Sequence, residues 1–164
     1  MASTVSGVFI SYRRDDTAGF ARLIYERLRK QLGSENVFID VDNIKAGLDF
    51  VDVLIERVGK CEALVAVIGK NWISAADKDN QRRLEDSRDF VRIEIQAALD
   101  RGICVIPVLV DGATMPKADD LPEGLKRLAN RQGIEISNTR LDFDMERLIR
   151  ALPPLVRLRG SHAG

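Results

Sequence analysis

A chain of 164 residues suits one domain with a single core. Lys+Arg and Asp+Glu both number 25, so the net charge is zero, which argues against a non-specific nucleic-acid binder while leaving room for a local basic patch. No apolar run is long enough to span a membrane, Met1-Ala2-Ser3-Thr4-Val5 is not a signal peptide, Cys61 and Cys104 form neither a disulfide framework nor a metal cluster, and the single His162 sits in the tail, so the expectation is a cytoplasmic protein without a metal.

Residues 1–7 read as a loose lead-in. Val8-Phe9-Ile10 is a short apolar run and reads as a buried first strand ending at Ser11-Tyr12. Asp15-Asp16-Thr17 can cap a helix whose apolar stripe is Phe20, Leu23, Ile24, Leu28 and Leu32, and Gly33 stops it. Val37-Phe38-Ile39-Asp40-Val41 is the second strand. After a polar loop from Asp42 to Gly47, a second helix carries Val51, Leu54, Ile55 and Val58. Ala63-Leu64-Val65-Ala66-Val67-Ile68 does not alternate, so both its faces should be covered, as in a central parallel strand. The charged stretch from Ser74 to Glu85 reads as a solvated loop or short helix. A third helix runs from Ser87 to Arg101 and ends at Gly102.

Ile103 to Val110 is the fourth strand, with local irregularity expected at Pro107, which has no N–H to give. Pro122 begins a short helix carrying Leu125 and Leu128. Gly133-Ile134-Glu135-Ile136 is a fifth, short, alternating strand at an edge. Asp144 caps a last helix carrying Met145, Leu148, Ile149 and Leu152, which Pro153-Pro154 ends. Residues 155–164 read as a flexible end, a linker to a further domain, or the scar of a truncation. Strand and helix alternate five times, which predicts an α/β fold: a flavodoxin-like three-layer sandwich with a mostly parallel five-stranded sheet of order 2-1-3-4-5, over residues 8–154. Ligands on such sheets bind beyond the carboxyl ends of the strands, so the loops after Ile10, Val41, Ile68 and Val110 are the ones to inspect.

One residue of the third helix is out of place. The neighbours of Glu94 three and four positions away are Phe90, Val91, Ala97 and Ala98, all apolar, so a carboxylate sits in the stripe that should face the core. It is either a salt-bridged or snorkelling Glu at the edge of the stripe, or an acid kept in a half-buried cleft for a ligand. Ser11-Tyr12-Arg13-Arg14-Asp15-Asp16 poses a similar choice. Its two arginines at a helix start can cradle a phosphate, or they can pair with Asp15 and Asp16. A receiver-type phosphoacceptor is excluded because the third strand ends Val67-Ile68-Gly69-Lys70 with no Asp. Neither a Walker loop nor a Gly-x-Gly-x-x-Gly is present. Both thiols read as buried and inert. Trp72 can stack on a base, although a lone Trp after a strand more often packs inside.

Taken in order, Val8-Phe9-Ile10-Ser11-Tyr12-Arg13-Arg14, Val37-Phe38-Ile39-Asp40-Val41, Lys45-Ala46-Gly47, the Glu94 helix, Val105-Ile106-Pro107-Val108 and Gly133-Ile134 closely resemble Toll/interleukin-1 receptor (TIR) domains, most of all bacterial ones and the NAD-cleaving TIR enzymes. In the NAD-cleaving members a Glu on the third helix is catalytic, and Glu94 falls on that position. The resemblance further implies that Tyr12, Arg13 and Arg14 line a nucleotide cleft. Asp40, Lys45, Trp72 and Phe90 are carried as further substrate-binding candidates, and Phe90 replaces a Trp common in the family. NAD is then a substrate, with no cofactor. The segment 42–49 is implied to gate the site and to contact other TIR domains in a homo-oligomer or filament. A sensor domain in the same or another chain would trigger assembly, as in bacterial antiphage defence. The product is ADP-ribose or a cyclic ADP-ribose. The same fold also hosts non-catalytic TIR–TIR interaction modules, which is the competing expectation.

Overall fold

The structure is a computed structural model that describes residues 7–39, 49–154 and 156. Five strands form one sheet: β1 (Gly7–Ser11), β2 (Val37–Ile39), β3 (Cys61–Ile68), β4 (Cys104–Val110) and β5 (Ile134–Ile136). Their order is β2-β1-β3-β4-β5, and every pairing is parallel. This is the strand order that the alternation of apolar runs predicts. Four α-helices cross over between strands or follow the last: α1 (Arg14–Leu32), α2 (Phe50–Gly59), α3 (Phe90–Asp100) and α4 (Leu141–Ala151).

Period-two alternation divides the central strand between two cores. Ala63, Val65 and Val67 face a cluster built with Ile24 and Leu28 of α1 and with Met145 and Leu148 of α4. Leu64, Ala66 and Ile68 face the other cluster, with Val58 of α2 and Val91, Ile95 and Leu99 of α3. The unbroken apolar run of β3 thus reflects helices on both faces. On β1 the same alternation sends Val8 and Ile10 toward α1 and Phe9 toward the α2–α3 side. Ser11, two residues beyond Phe9, therefore points at α3.

Several local expectations are revised. α1 starts at Arg14, so Asp15 and Asp16 lie inside its first turn rather than before it, and the helix breaks geometry at Thr17 (φ −132°, ψ 26°). Gly69, just past β3, has no room for a side chain, because a Cβ there would strike the Thr17 methyl and the Asp16 carboxylate. α3 starts at Phe90 rather than Ser87, capped by Asp89. The sheet is regular at Pro107, which pairs with Ala66 without a register shift; pairing to β5 begins only at Val108, so the missing N–H interrupts nothing on that side. The shift in register falls instead at Gly7/Val8. The segment after Pro122 is a 3₁₀ helix, Glu123–Asn130. Asp144 lies inside α4 rather than at its cap, fully buried, and takes the Ser137 amide at 3.0 Å. Gly7 already belongs to β1 and Val156 is buried in the core, two residues that the sequence assigns to the ends.

Candidate active site

A pocket of about 410 Å³ opens where β1 runs into α1, against the first turns of α3. Its size lies within the range of small-molecule sites. Tyr12, Arg13, Arg14, Phe90 and Glu94 line it together with Ile10 and Val91. Five candidates chosen from two separate stretches of sequence, the turn after β1 and the start of α3, are thus brought to one place.

Glu94 is 7% exposed and Ser11 is 1% exposed. The Ser11 hydroxyl donates to Glu94 Oε1 at 2.9 Å, across 83 residues of sequence. This bond fixes the rotamer of the carboxylate. The acid is therefore buried and held from the strand side, with its remaining surface toward the pocket.

Arg13 is not a loose surface cation. Its Nη1 and Nη2 donate to the two oxygens of Asp89 at 2.8 and 2.9 Å, and its side chain is 3% exposed. Asp89 in turn accepts the Arg92 amide at 3.2 Å as the cap of α3. The pair straps the β1–α1 turn to the start of α3, and so sets the distance between the two walls that carry Tyr12 and Glu94. The expected pairing with Asp15 or Asp16 does not hold for Arg13, whose partner is Asp89. Asp15 pairs with Arg83 at 3.1 Å, while Asp16 accepts the Asn71 amide at 3.3 Å.

Phe90 is 48% exposed at the pocket mouth. Its ring leans on Phe50, the first residue of α2, with centroids 4.9 Å apart and planes at 58°. This tilted contact leaves one side of an aromatic ring available to a flat ligand.

Trp72 lies elsewhere. It is fully buried in the α2–α3 core with Leu84 and Ile68 and is absent from the pocket lining, so its indole serves packing rather than stacking on a ligand. Asp40, Lys45 and the segment expected to gate the site, up to residue 48, fall outside the described residues. Asp49, at the end of that segment, caps α2 through the Val51 amide at 2.9 Å.

The pocket also holds residues that sequence reasoning passed over: Asp77, Arg83, Asp86 and Arg88, all from the charged stretch between β3 and α3, besides Asp89. That stretch is built rather than loose. Ala76 bridges Arg82, Leu84 is buried, and Arg92 donates to the Leu84 carbonyl at 3.0 Å. Ser11 could have been found from its two-residue offset from Phe9, and Asp89 from its place just before an apolar helical run.

Neither thiol competes for the chemistry. Burial pushes Cys61 up to about 12, and burial also raises Cys104, so both stay protonated at neutral pH. Among the described residues no group of three or more His, Cys, Asp or Glu is placed to hold a metal ion. No helix among them is long and apolar enough to cross a membrane.

The architecture is that of a flavodoxin-like α/β domain with an acid-floored cleft beyond the carboxyl end of β1. Residues 8–151 match the family model for the TIR domain, and the chain belongs to the TIR domain family. It is 30% identical over 152 residues to NAD(+) hydrolase sarm1 of Drosophila melanogaster, covering 93% of this chain and 10% of that protein. It is 30% identical over 145 residues to NAD(+) hydrolase SARM1 of Danio rerio, covering 88% of this chain and 19% of that protein. The chain thus spans a tenth to a fifth of the length of these curated relatives. Among solved structures it resembles the TIR domains of the activated Roq1 resistosome, which directly recognises the pathogen effector XopQ, with a TM-score of 0.62, 18% identity, and 88% of this chain and 98% of that one covered. It also resembles a metazoan TIR-STING receptor from C. gigas, with a TM-score of 0.52, 21% identity, and 89% and 40% covered. These two structural likenesses speak to the fold.

Proposed function

We propose that this TIR domain is an NAD glycohydrolase with Glu94 as its catalytic residue. The observation that carries the reading is the buried Glu94 carboxylate, held by Ser11 at the wall of a ligand-sized pocket. The names of the two curated relatives, both NAD(+) hydrolases, support the same choice of substrate.

The chemistry asks little of the protein. Glycosidases ordinarily use one carboxylic acid to protonate a poor leaving group and a second carboxylate beside it. Nicotinamide in NAD is already a pyridinium. When the bond between its nitrogen and ribose C1′ breaks, the electron pair stays on the ring nitrogen and nicotinamide leaves neutral. Positive charge then develops on the ribose. The Glu94 carboxylate stabilises that charge and accepts hydrogen bonds from the ribose hydroxyls, from a position only 7% exposed to solvent. Water adds to C1′ and gives up a proton, and the products are nicotinamide and ADP-ribose. Capture of the same cation by an atom of the substrate's own adenine yields a cyclic ADP-ribose instead. Tyr12 and the exposed side of Phe90 are the surfaces on which the flat rings rest, Phe90 without the indole N–H of its usual counterpart.

The finer parts of the proposal concern context. The domain self-associates through residues 42–49, a sensor triggers that assembly, and the setting is bacterial defence or signalling. Two unpaired thiols fit a reducing compartment such as the cytoplasm. The test is nicotinamide release from NAD by concentrated protein, followed by chromatography. Glu94→Ala should lower the rate by about 10²–10³. Equal release by parent and Glu94→Ala would remove Glu94 from its role. A parent that releases none, even when concentrated enough to assemble, would leave the protein-interaction module as the function.

A further inference from the structure

We infer that the pyrophosphate of the substrate is received by Arg83 and Arg88, from the segment between β3 and α3, rather than by Arg13. This rests on the NAD reading and assigns the other end of the same site. Turning Arg13 outward to a phosphate would exchange its bonds to Asp89, at 2.8 and 2.9 Å, and its side chain is only 3% exposed where it stands. That exchange would strand a carboxylate whose side chain is 9% exposed.

Arg83 and Arg88 stand differently. Both line the pocket. The Arg83 side chain is 38% exposed and, among the described residues, its ion pair is with the 75% exposed Asp15, a screened surface pair that an incoming phosphate displaces easily. Arg88 is exposed and makes no ion pair among the described residues. The acids nearby turn back on their own loops. Asp77 Oδ1 accepts the Asp79 and Gln81 amides at 2.9 and 3.0 Å, and Asp86 Oδ1 accepts the Arg88 amide at 2.9 Å. Buried Leu84 anchors the segment, and the Arg83 amide is tied to the Ala75 carbonyl at 2.8 Å. The guanidinium groups are thus carried on a fixed backbone, which lowers the ordering cost of binding.

The spacing agrees. At ~1.5 Å rise per residue, Glu94 lies about 6 Å along α3 from Phe90, and Arg88 stands two residues beyond. This is of the same order as the reach from the anomeric carbon of a ribose to its 5′-phosphorus. An acid at one end for the sugar cation and guanidinium groups at the other for the diphosphate match a nucleotide laid along the start of α3.

The experiment uses ADP-ribose, which carries the pyrophosphate and lacks the pyridinium. Its affinity is measured by calorimetry for the parent, Arg83→Ala, Arg88→Ala, and Arg150→Ala on the exposed face of α4. In parallel, kcat/KM is measured for NAD and for nicotinamide riboside, which has no phosphate. Each of the two pocket variants should weaken ADP-ribose about tenfold and lower the preference for NAD over nicotinamide riboside by the same factor. Arg150→Ala should keep both at the parent value. A parent that does not bind ADP-ribose, or pocket variants that bind it as tightly as the parent, overturns the assignment. Loss of ADP-ribose affinity in these variants, together with undiminished nicotinamide release by Glu94→Ala, would sink the catalytic role of Glu94 and leave the phosphate subsite standing.

Discussion

Replacing Asp89 by Asn removes one charge from a buried pair while keeping a residue that caps helices as well as Asp does. The cap bond to the Arg92 amide is therefore retained. What is lost is the compensation of Arg13, whose side chain is 3% exposed and whose two terminal nitrogens both point at Asp89. Breaking one side of a buried pair costs about 3–5 kcal/mol, because the remaining charge stays desolvated. Asn still offers one oxygen, so the lower end, about 3 kcal/mol, is expected. For a domain of this length that corresponds to a fall in Tm of about 6–12 °C. Asp89→Ala should lose about 1 kcal/mol more, for the cap. Urea and thermal unfolding followed by circular dichroism give the numbers. The double variant Arg13→Met/Asp89→Asn should recover most of the loss, since neither charge is then left alone. An Asp89→Asn variant as stable as the parent, or a double variant equal to the sum of the singles, would refute the idea that this pair holds the two walls together.

Two further outcomes follow from the same geometry. Ser11→Ala removes the donor to Glu94, a bond to a charged group worth about 1.5–3 kcal/mol. It should lower kcat for NAD cleavage at least tenfold, with KM within about twofold and recovery in Ser11→Thr; an unchanged kcat would deny Ser11 its positioning role. Cys61, pushed by burial from 9.0 to about 12, keeps its proton in the folded state while the unfolded thiol ionises. Its contribution is therefore whole below about pH 9 and falls by about 1.4 kcal/mol per pH unit between the unfolded and folded values. Cys61→Ala should flatten the stability profile in that window, and parallel profiles for the two proteins would contradict the burial argument.

The fold was legible because its signals are local. The apolar run from Ala63 to Ile68 and the helical stripes announce covered strands and one-sided helices without help from distant residues. Glu94 was legible for the same reason, as a carboxylate breaking a stripe. The partners that make it a site were not. Ser11 meets Glu94 across 83 residues and Arg13 meets Asp89 across 76, and nothing in either stretch names the other. The charged segment before α3 misled in a different way. Charge reads as solvation, yet the carboxylates of Asp77 and Asp86 shape turns, and those turns carry Arg83 and Arg88 to the pocket. Trp72 shows the limit of residue type alone, because an indole beside a binding loop proved to be core.

The acid and its hydroxyl holder come from opposite halves of the chain, with two crossovers of the sheet completed between them. A ribosome therefore releases the first strand, the arginine turn and the central strand well before any carboxylate can dock beneath them. A half-made chain has no such cleft at all. By the same logic, two fragments parted between β3 and α3 would have to meet and fold together before the cleft could form.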